Sequence, residues 1–182
     1  EVRKHHIFQS GKNLGKTLLF RNFVTGCTMM MRTYEAHKAV PFCPPMVHDH
    51  WLALDSAIKG EISFLKQPLL SYRIHESNQT LMLAGVTDKD SYLKIRIEEP
   101  LKKFFWLRDH LEENAGLSET IVQAIEWMTA RRDNFKRKGK ARQLIWKYRR
   151  FSSFTSLFEI AAPLMPEKVF LFFIGLARKN IV

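Results

Sequence analysis

Residues 1–80 carry short apolar runs punctuated by Gly and Pro, whereas residues 89–182 are nearly all helix-compatible, and this change of texture near Gly85 to Asp90 sets the organisation of the chain. Short runs between turn residues predict strands and brief helices in an α/β arrangement. Apolar residues at three- to four-residue spacing predict a helical region. The division therefore predicts one domain over 1–85 and a second, α-helical and basic, over 86–182. With 46% hydrophobic and 26% charged residues, no low-complexity tract and no internal repeat, both can be ordered.

In the first domain, Val24–Met31 reads as a short buried strand, Tyr34–Val40 as a short helix and Pro41–Pro45 as a rigid loop. Asp49 is a candidate cap for a helix running through Lys59, since Trp51, Leu52, Leu54, Ala57 and Ile58 fall near helical spacing and Gly60 offers a left-handed stop. Glu61–Leu65 and Pro68–Tyr72 read as two short strands joined through Lys66 and Gln67. Further on, Leu93, Ile97, Leu101, Phe104, Phe105 and Leu107 mark a helix that Pro100 must kink or restart. Ser118 is placed to cap the next, which carries Ile121, Val122, Ile125 and Trp127. The apolar run Val169–Ala177 spans nine residues, about half of the ~20 that cross a bilayer, so it predicts no transmembrane helix.

Twenty-nine Lys and Arg against eighteen Asp and Glu give a formal charge of +11, which favours an anionic partner such as nucleic acid, lipid headgroups or sugar nucleotides. Between residues 131 and 150 stand Arg131, Arg132, Lys136, Arg137, Lys138, Lys140, Arg142, Lys147, Arg149 and Arg150, opposed only by Asp133. Cys27 and Cys43 are the only cysteines, too few for a disulfide framework, and predict free thiols in a reducing cytoplasm. The chain opens on Glu1 with no leader pattern behind it and reads as part of something longer.

Several motifs invite chemistry. Gly11-Lys12-Asn13-Leu14-Gly15-Lys16-Thr17 has three residues between its first Gly and the Gly-Lys-Thr where a phosphate loop needs four, and so reads as a basic turn leading into a helix. His48 and His50 lie two apart and do not share a helix face, which argues against a zinc pair. Asp49 at a helix start is either an ordinary cap or, beside free amides and the positive end of the helix dipole, a general base. Trp51 is either core or a sugar-stacking platform. Tyr72-Arg73-Ile74-His75-Glu76-Ser77-Asn78 gathers cationic, imidazole and amide groups where a strand runs into a loop, and is either an exposed loop or a site edge.

Three blocks follow one another in a recurring order: Asn22-Phe23-Val24-Thr25-Gly26-Cys27-Thr28, then His48-Asp49-His50-Trp51, then Pro68-Leu69-Leu70-Ser71-Tyr72-Arg73-Ile74-His75-Glu76-Ser77-Asn78. Together, over residues 15–80, they resemble bacterial family-2 glycosyltransferases of the rhamnosyltransferase or capsule and O-antigen type. The resemblance implies the C-terminal half of a GT-A domain, α/β in class, followed by the helical basic tail. It places Asp49 as the base of an inverting sugar transfer and Gly26 and Thr28 on a strand flooring the acceptor side. His48, Trp51 and Arg73 would line the substrate site, and His75 would approach a divalent metal, Mn2+ or Mg2+, or the diphosphate.

The implied partners are a nucleotide-sugar donor, a polysaccharide or polyprenyl-diphosphate-linked acceptor, and an anionic membrane surface, the protein lying peripherally at the cytoplasmic face. Trp146, Tyr148, Phe151 and Phe154, interleaved with cations, would suit that interface. The pattern breaks at one point: no Asp-x-Asp metal motif precedes Thr25, and Asp88-Lys89-Asp90 falls after the acceptor blocks, so the donor half is expected upstream. Two rival readings are a basic helical module that binds nucleic acid and a degenerate, non-catalytic glycosyltransferase-like domain.

Overall fold

The computed structural model describes residues 9–71, 73, 83, 85–111 and 116–179. In chain order these form β1 (Gly11–Lys12), α1 (Gly15–Phe20), a 3-10 turn (Gly26–Thr28), α2 (Thr33–Lys38), α3 (His48–Lys59), β2 (Glu61–Ile62), α4 (Lys89–Leu93), a π-helical turn (Lys94–Glu98), α5 (Glu99–His110), α6 (Ser118–Phe135), α7 (Ala141–Lys147), α8 (Ser153–Ala161) and α9 (Glu167–Lys179). The chain is mostly helical, and β1 paired antiparallel with β2 is the only sheet among the described residues. This overturns the expected α/β half-domain of GT-A type.

The physical reason lies in where the backbone amides go. Val24–Met31, expected as a buried strand, turns through the 3-10 segment instead, with Met30 97% exposed. Its amides are met locally: Val24 N donates to Asn22 Oδ1 at 3.0 Å, Gly26 N to Asp49 Oδ2 at 3.0 Å, and Thr28 N to the Thr25 carbonyl at 2.9 Å. A segment satisfied by side chains and its own turn has no ladder to join. Of Glu61–Leu65 only Glu61–Ile62 pairs, and Pro68–Ser71 lies outside regular structure; Tyr72 is outside the described residues. Gly60 ends α3 in an extended conformation, φ −164°, rather than the left-handed one expected.

The chain divides into two compact units, residues 1–73 with 106–121 and residues 74–105 with 122–182. In the first unit α1 packs on α3, burying Leu18, Leu19, Trp51, Leu52, Leu54 and Ala57, joined by Leu107, Leu117 and Ile121. Trp51, 4% exposed, donates its indole N–H to the Ala39 carbonyl at 2.7 Å and sets its ring edge-on to Trp106 at 5.1 Å. Gly15 lets α1 come close, since a Cβ there would stand 3.1 Å from Leu117 Cδ1. The segment read as a basic turn before a helix is β1 followed by α1.

In the second unit a buried stripe runs along α6 through Ala124, Trp127, Met128, Arg131 and Asn134, the three- to four-residue recurrence of one helix face. Asp88 opens α4 with a capping box: its carboxylate accepts from Ser91 N at 2.7 Å while Ser91 Oγ accepts from Asp88 N at 3.0 Å. Those hydrogen bonds, the backbone one from Ser91 first, hold the Asp88 carboxyl below the ordinary Asp range. Asp88-Lys89-Asp90 is thus a helix start. Pro100 sits at the second position of α5, directly after the π turn; having no N–H, it cannot serve the Arg96 carbonyl four residues back, and Arg131 Nη2 reaches that oxygen at 3.5 Å.

Candidate functional site

Two of the three sequence blocks meet in the first unit. Asp49 is the second residue of α3, not its cap; Val47 takes the cap position, with no side-chain cap hydrogen bond. This frees the Asp49 carboxylate to reach sideways. Oδ1 accepts from Asn22 Nδ2 at 3.1 Å and Oδ2 from Gly26 N at 3.0 Å, which ties residues 22–26 to the start of α3. The first-turn position also sets the carboxylate against the positive end of the helix dipole.

Gly26 lies close against the start of α3: a Cβ at that position would stand 3.0 Å from His48 Nε2 and 3.5 Å from Asp49 Cβ, so the exposed His48 ring would have to shift slightly to admit one. Asn22, Gly26, His48 and Asp49 therefore form one half-buried cluster with His48 on its exposed side. Each Asp49 oxygen accepts a single hydrogen bond from these partners and has a second lone pair to offer.

The remaining candidates separate. His50, one residue past Asp49, donates through Nε2 to the Leu18 carbonyl, 2.5 Å away, and so anchors α3 to α1. Trp51 is core, with its indole N–H and ring both engaged, and offers no open face to a sugar. Thr28 is exposed and turns its hydroxyl back to the Thr25 carbonyl at 2.9 Å; Gly26 and Thr28 lie on the 3-10 turn rather than on a strand. Arg73 is exposed, and His75 lies outside the described residues, as does most of the third block.

Among the described residues no three His, Cys, Asp or Glu side chains gather as a metal cluster. The resemblance places the main ligands of its divalent ion upstream of this chain, and His75 lies outside the described residues, so no step below runs through a metal.

The basic stretch is not the uniform cationic face the sequence suggests. Arg131 is buried, clasped by Glu159 through Nη2 to Oε1 at 2.6 Å and through Nε to Oε2, with its guanidinium 4.3 Å over the Trp127 ring. Tyr92 adds its hydroxyl to Glu159 Oε1 at 2.6 Å, and Asn134 Nδ2 donates to the Glu159 carbonyl at 2.7 Å. Burial opposes the charge on Arg131, but the Glu159 carboxylate outweighs it and holds the guanidinium pKa above its usual value. Of the expected interface aromatics, Tyr148 is buried and donates to Glu126, whereas Trp146 is half exposed beneath the Arg149 guanidinium at 4.5 Å.

This network was missed in the sequence, though a signal for it existed. Arg131 falls on the apolar stripe of its helix, four residues after Trp127, and Glu159 sits among Phe158, Ile160 and Ala161; a lone charge on each of two apolar faces predicts that they pair. No family model, curated protein or solved structure matches this chain. Among the described residues, no helix is long and apolar enough to cross a membrane.

Proposed function

We propose that the Asn22, Gly26, His48 and Asp49 cluster is the general-base end of a sugar-transfer site, in an enzyme that moves a sugar from a nucleotide-sugar donor to a hydroxyl of a cell-surface polysaccharide or lipid-linked acceptor. One observation carries this reading: two of the blocks on which the resemblance rests, more than twenty residues apart, converge on a single carboxylate. The reading rests on this local cluster and not on a GT-A scaffold.

In the reaction, Asp49 takes the proton of the acceptor hydroxyl as that oxygen bonds to the anomeric carbon and the bond from that carbon to the nucleoside diphosphate breaks with inversion. Asn22 Nδ2 and Gly26 N–H fix the carboxylate in place, so its remaining lone pairs point one way without reorganisation at the moment of transfer. His48, on the exposed side, is placed to contact the sugar hydroxyls. The charge of the departing diphosphate needs cations, for which Arg73 is an exposed candidate.

The test is Asp49→Asn in the polypeptide that also carries the donor-binding half this reading requires. Nucleotide-sugar affinity should hold while turnover falls about 10²- to 10⁴-fold, the usual loss on removing a general base. Turnover within a few-fold of the parent would instead make Asp49 a latch between residues 22–26 and α3. Because no Asp-x-Asp precedes Thr25, the 182-residue chain alone should give no heat with UDP- or dTDP-sugars and Mn2+ in calorimetry. Micromolar binding there would relocate the donor site and overturn the assignment.

A further inference from the structure

Helix α8 is inside out. Its polar residues Ser156 and Glu159 have no solvent exposure, whereas Phe154 and Leu157 are 78% and 54% exposed. Inside, Ser156 Oγ meets the Trp127 indole N–H at 3.3 Å and Glu159 holds Arg131 and Tyr92. A helix facing water on its outer side shows the opposite pattern.

Helix α9 repeats the theme. Phe170 and Ile174 are buried, yet Val169, Phe172, Phe173 and Leu176, at the spacing of a single helix stripe, are all exposed, so α9 is apolar on two faces and covered on one. The two exposed stripes adjoin: Phe158, one turn after Phe154, has its ring 6.3 Å from that of Phe173. The result is one apolar surface on the second unit.

Cations adjoin it in the chain: exposed Lys168 precedes Val169, and Arg149 and Arg150 precede α8, Arg149 donating to the Trp146 carbonyl and Arg150 to Gln123 Oε1, while Arg178 donates to the Leu83 and Val86 carbonyls. Residues 136–179 contain eleven Lys and Arg against two Asp and Glu. Of those two acids, Glu159 is consumed in the core and Glu167 accepts from Lys89 N at 3.0 Å. A second copy docked about a twofold axis would set these cations against one another, which disfavours self-association. An anionic lipid surface matches both the charge and the apolar stripe.

We propose that the α8 and α9 face binds the headgroup region of an anionic membrane, with Phe154, Leu157, Val169, Phe172 and Leu176 entering the interface and Arg149, Arg150 and Lys168 meeting lipid phosphates. Thirteen residues make α9 about 20 Å long, short of the ~30 Å hydrocarbon core, so it lies in the membrane plane. The contact centres on the apolar stripes of α8 and α9 and takes only Arg149 and Arg150 from the basic stretch, where Arg131 and Tyr148 are buried. It is also independent of the sugar-transfer reading, because it needs no donor or acceptor.

The test is co-sedimentation of the full chain with phosphatidylglycerol-containing vesicles and with pure phosphatidylcholine vesicles. The parent should pellet with the anionic vesicles, less so at high salt. A Phe172→Glu and Leu176→Glu double variant should keep the parent's melting temperature, because both positions are exposed, and lose at least about tenfold in partitioning. A Phe154→Ser and Leu157→Ser variant on α8 gives an independent reading should the first misfold. Equal pelleting with both lipids, or no loss in either variant, overturns the proposal. So does a dimer seen by light scattering that the variants dissolve, without any vesicle binding.

Discussion

Glu159 and Arg131 show how much a single pair can carry. Both side chains are almost wholly buried; Glu159 Oε1 accepts from Tyr92 and from Arg131 Nη2, and Oε2 from Arg131 Nε. Glu159→Ala leaves the guanidinium charged, buried and without its partner, so the second unit should lose about 3–5 kcal/mol of stability, read as a fall in the urea midpoint. A loss under about 1 kcal/mol would mean that water reaches Arg131. At the same scale, Asp49 was legible as a helix-start carboxylate, but its real partners were not. Asn22 and Gly26 lie far from it in sequence, and only the packing of α1 against α3 brings them within 3.1 Å.

At the scale of elements, aromatic stacking joins α4, α8 and α9. Phe170 lies 5.4 Å from Tyr92 and 5.7 Å from Phe158, with no exposure. Phe170→Ala should cost about 3–5 kcal/mol, combining lost burial with the cavity left behind, and thermal unfolding followed by circular dichroism would show it. An unchanged melting temperature would mean that α9 is not part of the cooperative core. The helices around Leu93–Leu107 and from Ser118 onward were legible because a 3.6-residue period survives whichever face is buried. The strands were not: an apolar run of four to eight residues serves equally as a strand or as a turn whose amides are met elsewhere, and at Val24–Met31 Asn22 and Asp49 supply the alternative. Nor did periodicity reveal which face of α8 points inward, since that depends on partners from α4 and α6.

For the molecule as a whole, Tyr92 links stability to pH. Burial, then the neighbouring Glu159 charge, drives its phenol pKa far above the ordinary value near 10. In the folded state the phenol keeps its proton where the unfolded chain would release it, so its contribution is fully present below about pH 10 and declines as the pH rises beyond. Alkaline unfolding followed by tyrosine absorbance should therefore be cooperative, and Tyr92→Phe should flatten the loss of stability above that pH while lowering stability at neutral pH by about 1–2 kcal/mol for the lost hydrogen bond. An unaltered alkaline profile would show that Tyr92 ionises freely.

What the sequence by itself determined is the local: the helical second half, the helix start at residues 48–51, the absence of a bilayer-length apolar helix among the described residues and the excess of positive charge. Each follows from short-range stereochemistry or from counting. What only the tertiary structure decided is the long-range: that the described residues of the first half form no sheet beyond the short β1–β2 pair, that Arg131 is a core residue rather than a surface cation, that Trp51 is committed to Ala39 and Trp106, and that α8 turns its apolar side outward. The reason is that a backbone amide or a charged side chain does not choose its partner by type alone. Many partners of the right type exist along the chain, and packing selects the one close enough to replace the water that burial removes.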